Sequence, residues 1–294
     1  MDDLPDRLKL GAGESEPNRL VLADALTLLG TLPDASVDLA YADPPFATGK
    51  VRRAADGAGV EHRYDDRLDD PDAYRAWLEP HLAELHRVLA PSGSLFVHLD
   101  HRMSAYARIA LDGVFGRDGF RNEIIWRYGL GGRAPANAFA RKHDVLLFYA
   151  RGPANTFHRL RGAITPAMEA KYAHADEHGR YQHSYGRRYY LKGGKPFDSV
   201  WDIPSISPTA AERCGYPTQK PLALLERVIA ATTDAGALVI DPFAGSGTTA
   251  VAAQRLGRRF VCGDRSPEAI AITCRRLEQE ARTQPAPDIL LLRP

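Results

Sequence analysis

Val37-Asp38-Leu39-Ala40-Tyr41-Ala42-Asp43-Pro44-Pro45-Phe46 is a largely apolar, β-tolerant run that turns abruptly into two prolines. The part up to Ala42 reads as a short buried strand, because prolines lack the N–H that a sheet ladder needs and stop it there. The strand delivers the Asp43 carboxylate to its C-terminal edge, the side on which open α/β sheets bind ligands. The prolines stiffen the turn, so Asp43 and Phe46 share one rigid cleft. Taken alone, the same tetrapeptide also suits a plain Asp-Pro-Pro turn with Phe46 in the core.

A second segment of this kind lies about two hundred residues further on. Ala237-Leu238-Val239-Ile240 reads as another buried strand, Asp241-Pro242-Phe243-Ala244-Gly245-Ser246-Gly247 as a glycine-rich turn, and Thr248 to Leu256 as a helix. Glycines let the backbone approach a ligand closely, and the first free N–H groups of a helix point at whatever sits there. The spacing matches neither G-x-G-x-x-G nor the P-loop, which argues against a dinucleotide or a nucleoside triphosphate. A third strand, Arg259 to Gly263, ends at Asp264, where an acid can accept hydrogen bonds from both hydroxyls of a ribose.

With these stretches in this order, the chain resembles the β class of S-adenosylmethionine-dependent DNA amino-methyltransferases. That family carries a D-P-P-[YF] catalytic motif first, a target-recognition region next and an F-x-G-x-G cofactor loop near the C-terminus. Here Asp43 to Phe46 precedes Phe243 to Gly247. Gly93 to His101, Asn122 to Trp126, His143 to Tyr149 and Gly215 to Pro221 match further segments, so the likeness runs from about residue 18 to 280. It implies a permuted Rossmann-like α/β methyltransferase fold, with a mostly parallel seven-stranded sheet, helices on both faces and a small target-recognition subdomain. The implied divisions are 19–150 for the catalytic half, 151–213 for target recognition and 214–283 for the cofactor half, with tails at 1–18 and 284–294.

The resemblance also implies roles. Asp43, Pro44, Pro45 and Phe46 are the implied catalytic residues. S-adenosylmethionine is implied to lie among Asp24, Ala25, Asp43, Thr218, Lys220, Asp241, Phe243, Gly245, Ser246, Gly247, Thr248 and Asp264. The implied substrate is double-stranded DNA, and a second copy of the chain and a cognate restriction endonuclease are candidate partners. The family's reaction moves a methyl group from a sulfonium to an exocyclic base nitrogen, whose lone pair is delocalised into the ring. Hydrogen bonds from that amino group to the Asp43 carboxylate and the Pro44 carbonyl draw density back onto nitrogen, and positioning does the rest. Phe46 offers a face for a base extruded from the duplex. Asp at the first motif position is commoner in adenine-N6 enzymes than in cytosine-N4 enzymes, so adenine is favoured and cytosine N4 is the alternative. No Pro-Cys dipeptide exists to supply the thiolate that C5-cytosine methylation needs.

Composition sets the outer bounds. A chain of 294 residues, 44% hydrophobic and 26% charged, suits one large α/β domain with an insertion. No apolar run approaches the roughly 18 residues of a membrane span and no basic-then-apolar signal opens the chain, so the expected location is the cytoplasm of a prokaryotic cell or its phage. Cys214, Cys262 and Cys274 have neither C-x-x-C nor His-x-His spacing, so no metal site is expected. The net charge of +1 conceals a basic sector: residues 121–195 hold fourteen Lys or Arg against five Asp or Glu, together with eleven aromatics. Basic and aromatic residues interleaved in this way suit phosphate neutralisation with base stacking, or equally a solvated arginine-rich face over an aromatic core.

Along the chain, Asp24 follows the strand Arg19 to Ala23 and suits either the cofactor's adenine or the cap of the helix Ala25 to Leu32. Ala47 to Arg67 reads as a long loop leaving the catalytic turn, a lid or a disordered segment, whose Lys50, Arg52, Arg53 and Arg63 suit either DNA phosphates or a solvated charge run. Arg133 and Arg141, in the Gly-rich connection from Gly129 to Arg141, and Arg187, Arg188 and Lys192 are the other DNA-binding candidates. Pro71 to Leu89 carries an amphipathic stripe. Asp100 beside His101 suits a general-base pair or a helix cap. Pro221 suits the first turn of the helix Leu222 to Thr232, and the resemblance implies that Thr218 and Lys220, just before it, bind the cofactor's carboxylate at that helix N-terminus. Two further readings stay open: an RNA or protein methyltransferase, which has no need of the basic insertion, and a non-catalytic DNA-binding module.

Overall fold

The computed structural model describes residues 17–46, 70–129, 135–283 and 288–293 in full, and residues 7–8, 50–55 and 61–66 by backbone alone. In chain order the elements are β1 (Arg7–Leu8), β2 (Asn18–Leu22), α1 (Ala25–Gly30), β3 (Val37–Ala42), β4 (Lys50–Ala55), β5 (Glu61–Asp66), α2 (Pro71–Val88), β6 (Leu89–Leu99) and α3 (Ser104–Phe115). There follow β7 (Phe120–Arg127), β8 (His143–Ala150), α4 (Pro166–Lys171), β9 (His174–Asp176), β10 (Gly179–Ser184), β11 (Arg187–Tyr190) and β12 (Val200–Asp202). The chain closes with α5 (Leu222–Thr232), β13 (Leu238–Asp241), α6 (Thr248–Arg255), β14 (Arg259–Asp264), α7 (Pro267–Ala281) and β15 (Ile289–Leu292).

The main sheet runs in the order β1-β15-β2-β14-β13-β3-β6-β8-β7-β12. From β15 to β6 every neighbour is parallel; β8 is antiparallel to both β6 and β7. The α/β class and mostly parallel sheet are as expected, but the strand count is ten rather than seven. The additional strands β1, β12 and β15 are two, three and four residues long, too short to carry a period-two signal. β15 is not at the edge, since it lies between β1 and β2. The segment read as the loop Ala47 to Arg67 contains an antiparallel ribbon, β4 with β5. Its sequence has no alternating apolar pattern by which to recognise it. The 151–213 region contributes a separate three-stranded sheet, β11-β10-β9, and lends β12 to the main one.

Two apolar layers cover the main sheet. On β3, Leu39 and Tyr41 pack in the layer with α5, α6 and α7, while Ala40 and Ala42 pack with α1, α2 and α3. Helix α2 starts at the Asp70 cap, whose carboxylate accepts the Ala73 N–H, with Pro71 in the first turn. Its stripe Tyr74, Leu78, Leu82, Leu85 and Val88 is at most 1% exposed, and each aliphatic member contributes about 1.5–3 kcal/mol on burial. Pro80 sits inside this helix, and beside it the His81 side chain bonds the Trp77 carbonyl.

The strand order itself makes the site. β13 pairs with β3 in parallel, Val239 opposite Leu39 and Ile240 opposite Ala40. The ends of β2, β14, β13 and β3 therefore open side by side at one sheet edge, carrying Asp24, Asp264, Asp241 and Asp43. Segments about two hundred residues apart in sequence become neighbours.

Candidate active site

At that edge lies a cavity of about 350 Å³. Asp24, Ala25, Asp43, Pro44, Pro45, Phe46, Thr218, Lys220, Asp241, Phe243, Gly245, Ser246, Thr248 and Asp264 all line it. Among the residues singled out for the cofactor, Gly247 does not. It adopts a left-handed conformation (φ 74°) at the start of α6, and a Cβ there would lie 2.3 Å from Thr273 Cγ2. The positive φ and the approach of α7 to the loop are each reason enough for a glycine here. Gly245 (φ 50°) does line the cavity, with its Cβ direction facing the Tyr216 ring at 3.2 Å.

The Asp43 carboxylate is bound through Oδ2 by the Lys220 ammonium, which also sits 5.2 Å from the Phe46 ring centroid. Below Phe46, at 5.9 Å, is the fully buried His98 ring. Tyr41 Oη lies 2.6 Å from His98 Nδ1, and His98 Nε2 lies 3.2 Å from Asp144 Oδ2; the Tyr128 hydroxyl donates to Asp144 Oδ1 at 3.0 Å. One proton arrangement satisfies every atom: Tyr41 donates to Nδ1, and Nε2–H donates to Asp144. Burial pushes the Tyr41 phenol well up, which keeps it a donor. Burial opposes ionisation of Asp144, yet the hydrogen bond from His98, the Lys220 ammonium and the Tyr128 hydroxyl together hold its carboxyl below the usual range. The chain Tyr41–His98–Asp144–Tyr128 thus fixes the floor beneath the aromatic turn. His98→Leu leaves the Tyr41 hydroxyl and Asp144 Oδ2 without this partner in a dry core, and is expected to lower stability by about 2 kcal/mol in urea unfolding. A loss below about 0.5 kcal/mol would contradict the network's role.

The cofactor loop is held from behind. Arg276, 8% exposed, donates from Nη1 to the Ser246 carbonyl at 2.6 Å and to Thr248 Oγ1 at 3.0 Å, and Thr248 Oγ1 donates to the Lys220 carbonyl at 3.1 Å. Asp264 accepts the Gly245 N–H at Oδ2 and the Ser266 N–H at Oδ1, and burial raises its carboxyl despite both bonds. The first N–H of α5, on Leu222, donates to Glu212 at 3.0 Å, while Thr218 and Lys220, just before the helix, line the cavity. Gln219 pins the same segment through the Cys214 N–H and the Glu212 carbonyl.

Asp241 is 2% exposed; Thr249 Oγ1 donates to its Oδ2 at 2.5 Å and the Phe243 N–H to Oδ1 at 2.9 Å. Burial, with smaller contributions from the charges of Asp43 and Asp264, overcomes these bonds and pushes its carboxyl up to about 7. An unfolded Asp titrates near 3.9, so between about pH 4 and 7 the folded state keeps a proton that the unfolded chain has lost. Stability from this group therefore falls as pH rises through that window and is level above it. Asp241→Asn removes the titration, and its unfolding free energy is expected to decline less than wild type between pH 5 and pH 8. Parallel pH profiles would refute the assignment.

The opposite end of the cavity is aromatic. Trp77 and His81 lie 4.4 Å apart, and Phe243 is 5.7 Å from His81. Burial holds His81 below its usual pKa, and its Nδ1–H donates to the Trp77 carbonyl, leaving Nε2 an acceptor. Asp24 caps α1, accepting the Thr27 N–H at 3.0 Å and the Thr27 hydroxyl at 2.7 Å, which depress its carboxyl; it both caps and lines the cavity. Asp100 accepts the backbone N–H groups of Arg102 and Met103 and the Arg102 guanidinium, so it holds the turn that leads into α3, whose own N-cap, Met103, makes no side-chain cap bond.

Of the DNA-binding candidates, Arg141, Arg187, Arg188 and Lys192 are exposed. Arg133 and the side chains of Lys50, Arg52, Arg53 and Arg63 lie outside the described residues. Sequence reasoning missed the floor residues Tyr41, His98 and Asp144, and the brace Arg276. Tyr41 alone had a signal, two residues before Asp43 on the same strand face.

The chain is similar to known proteins. The family model N6_N4_Mtase, described as DNA methylase, matches residues 37–275. The DNA adenine methyltransferase YhdJ of Escherichia coli K12 is 28% identical over 267 residues, covering 90% of this chain and 84% of that protein. The structure of TTHA0409 from Thermus thermophilus, complexed with S-adenosyl-L-methionine, superposes with a TM-score of 0.59 at 22% identity over 94% of this chain and 98% of the other. The cytosine-N4-specific PvuII DNA methyltransferase superposes with a TM-score of 0.63 at 17% identity over 92% of each chain.

Proposed function

From the premise that the chain belongs to the DNA methylase family, we propose that it transfers a methyl group from S-adenosylmethionine to the exocyclic N6 of an adenine turned out of double-stranded DNA. The observation that carries this reading is one cavity lined by both Asp43-Pro44-Pro45-Phe46 and the Asp241-to-Thr248 turn, which the pairing of β13 with β3 brings together. Adenine is supported by the 28% identical adenine methyltransferase and by Asp, rather than Ser, at the first motif position.

The cavity suits the cofactor by its chemistry. Trp77, His81 and Phe243 offer flat apolar surface and an acceptor for an adenine ring, the Asp264 carboxylate retains lone pairs for ribose hydroxyls, Asp43 is an acid matched to a sulfonium, and Asp241 holds the turn through Thr249 and the Phe243 N–H. When bound, S-adenosylmethionine supplies an electrophilic methyl group. Everything else falls to the chain. Asp43 and the Pro44 carbonyl accept the two amino protons of the target, Phe46 supports its ring, and the His98–Asp144 pair keeps Phe46 in place. Lys220 must yield or share Asp43 as the base enters. It is the natural counter-ion for the cofactor's carboxylate, which gives it somewhere to go.

The test is to incubate the purified chain with S-adenosylmethionine and unmethylated DNA of mixed sequence, digest to nucleosides and weigh the products. N6-methyladenine is expected. N4-methylcytosine would reverse the choice of base, and neither product in the presence of cofactor binding would overturn the substrate class.

A further inference from the structure

The β10–β11 hairpin has two chemically different faces. Its register pairs Tyr181 with Tyr190, Gln182 with Tyr189, His183 with Arg188 and Ser184 with Arg187, and residues opposite each other share a face. On one face Arg188 is committed: its guanidinium bonds Asp176 at 2.9 Å and lies 4.9 Å from the Tyr181 ring. Around it His174 stacks on Tyr181 at 5.5 Å, and Tyr190 donates to Asp176 at 3.0 Å. That face holds itself together. On the other face stand Arg180, Gln182, Ser184, Arg187 and Tyr189, with no acid among them and no ion pair to either arginine among the described residues.

The turn is equally specific. Tyr185 and Gly186 both have positive φ, 49° and 71°, the pairing that a two-residue hairpin turn needs. Asn or Gly fills the first position at no cost, whereas a tyrosine pays of order 1 kcal/mol. Nothing within the fold repays it, because Tyr185 is 95% exposed.

We infer that the hairpin reads the DNA sequence through its acid-free face, with Arg187 and Gln182 as base-reading residues, Tyr189 and Tyr185 as apolar contacts, and Arg188 as a structural residue. A two-stranded ribbon fits the major groove, where Arg pairs bidentately with guanine and Gln with adenine. The Gln182–Tyr189 and Ser184–Arg187 pairs are two residues apart, about 7 Å, or two base-pair steps. In sequence Arg187 and Arg188 are equivalent, and only the strand alternation separates them. This rests on the proposal that the chain methylates DNA.

The experiment methylates a randomised duplex library with wild type and with R187A, R187K, Q182A and R188A, and sequences the methylated sites. R187A and Q182A are expected to lose roughly tenfold to hundredfold discrimination at one base position each, with cofactor affinity unchanged. R187K, which keeps the charge but not the fork, is expected to lose the same discrimination while retaining the salt dependence of binding. R188A is expected to keep the wild-type site preference. Unchanged preference in R187A, R187K and Q182A, or relaxed preference in R188A, would overturn the assignment. Absence of DNA methylation by wild type itself would instead reject the reading beneath it.

Discussion

Asp43→Ala is expected to lower the single-turnover rate of DNA methylation by about 10²- to 10³-fold, the usual effect of removing a preorganised group aimed at developing charge. The carboxylate is placed by β3 and by two prolines that fix the turn, so no neighbour can take over its geometry. Its removal also strands the Lys220 ammonium, 11% exposed, beside the Phe46 ring. Asp43→Asn is expected to lose nearly as much, since its amide NH₂ would compete with the substrate amino group as a donor. DNA binding should persist in both variants, because the β10–β11 hairpin is untouched, whereas cofactor affinity is expected to fall modestly, since Asp43 also lines the cavity. A variant keeping more than a tenth of the wild-type rate would remove Asp43 from the chemistry. If wild type shows DNA binding but no transfer at all, the chain is a binding module.

The second large effect is on folding. Gly247→Val is expected to destabilise the protein by about 4 kcal/mol, combining a left-handed conformation, costing about 1–2 kcal/mol, with overpacking of about 1–3 kcal/mol. The overlap is with Thr273, fully buried on α7, whose Cγ2, Oγ1 and Cβ lie 2.3, 2.5 and 2.8 Å from the position of a new Cβ. Thr273 cannot retreat easily, since its hydroxyl is tied to the Ala269 carbonyl at 2.9 Å. Gly247→Ala should be milder, and its loss should shrink when Thr273→Ala is added, a non-additivity that urea melts of the single and double variants would measure. Strict additivity would mean that backbone conformation alone sets the requirement. Gly245→Ala meets only the Tyr216 ring edge, at 3.2 Å, and should cost less stability.

The sequence by itself determined the fold class, because its central strands are strong local signals: β3 and α5 occupy the expected residues, Val37–Ala42 and Leu222–Thr232. It also pointed to the two turn motifs as one site, since their order carries the family resemblance, and the two turns line one cavity. Strands β1 and β12 escaped it, because two or three residues hold no periodicity and are fixed only by the neighbour that they pair with. The floor of the site was illegible for a related reason. Tyr41, His98 and Asp144 come from β3, β6 and β8, and a hydrogen-bonded chain across three strands exists only once the strand order and register are set. The packing demand on Gly247 was likewise invisible, because a turn motif cannot reveal which helix will press against it. Arg187 and Arg188 looked alike because charge is visible in a sequence, whereas the face on which it stands is decided by pairing.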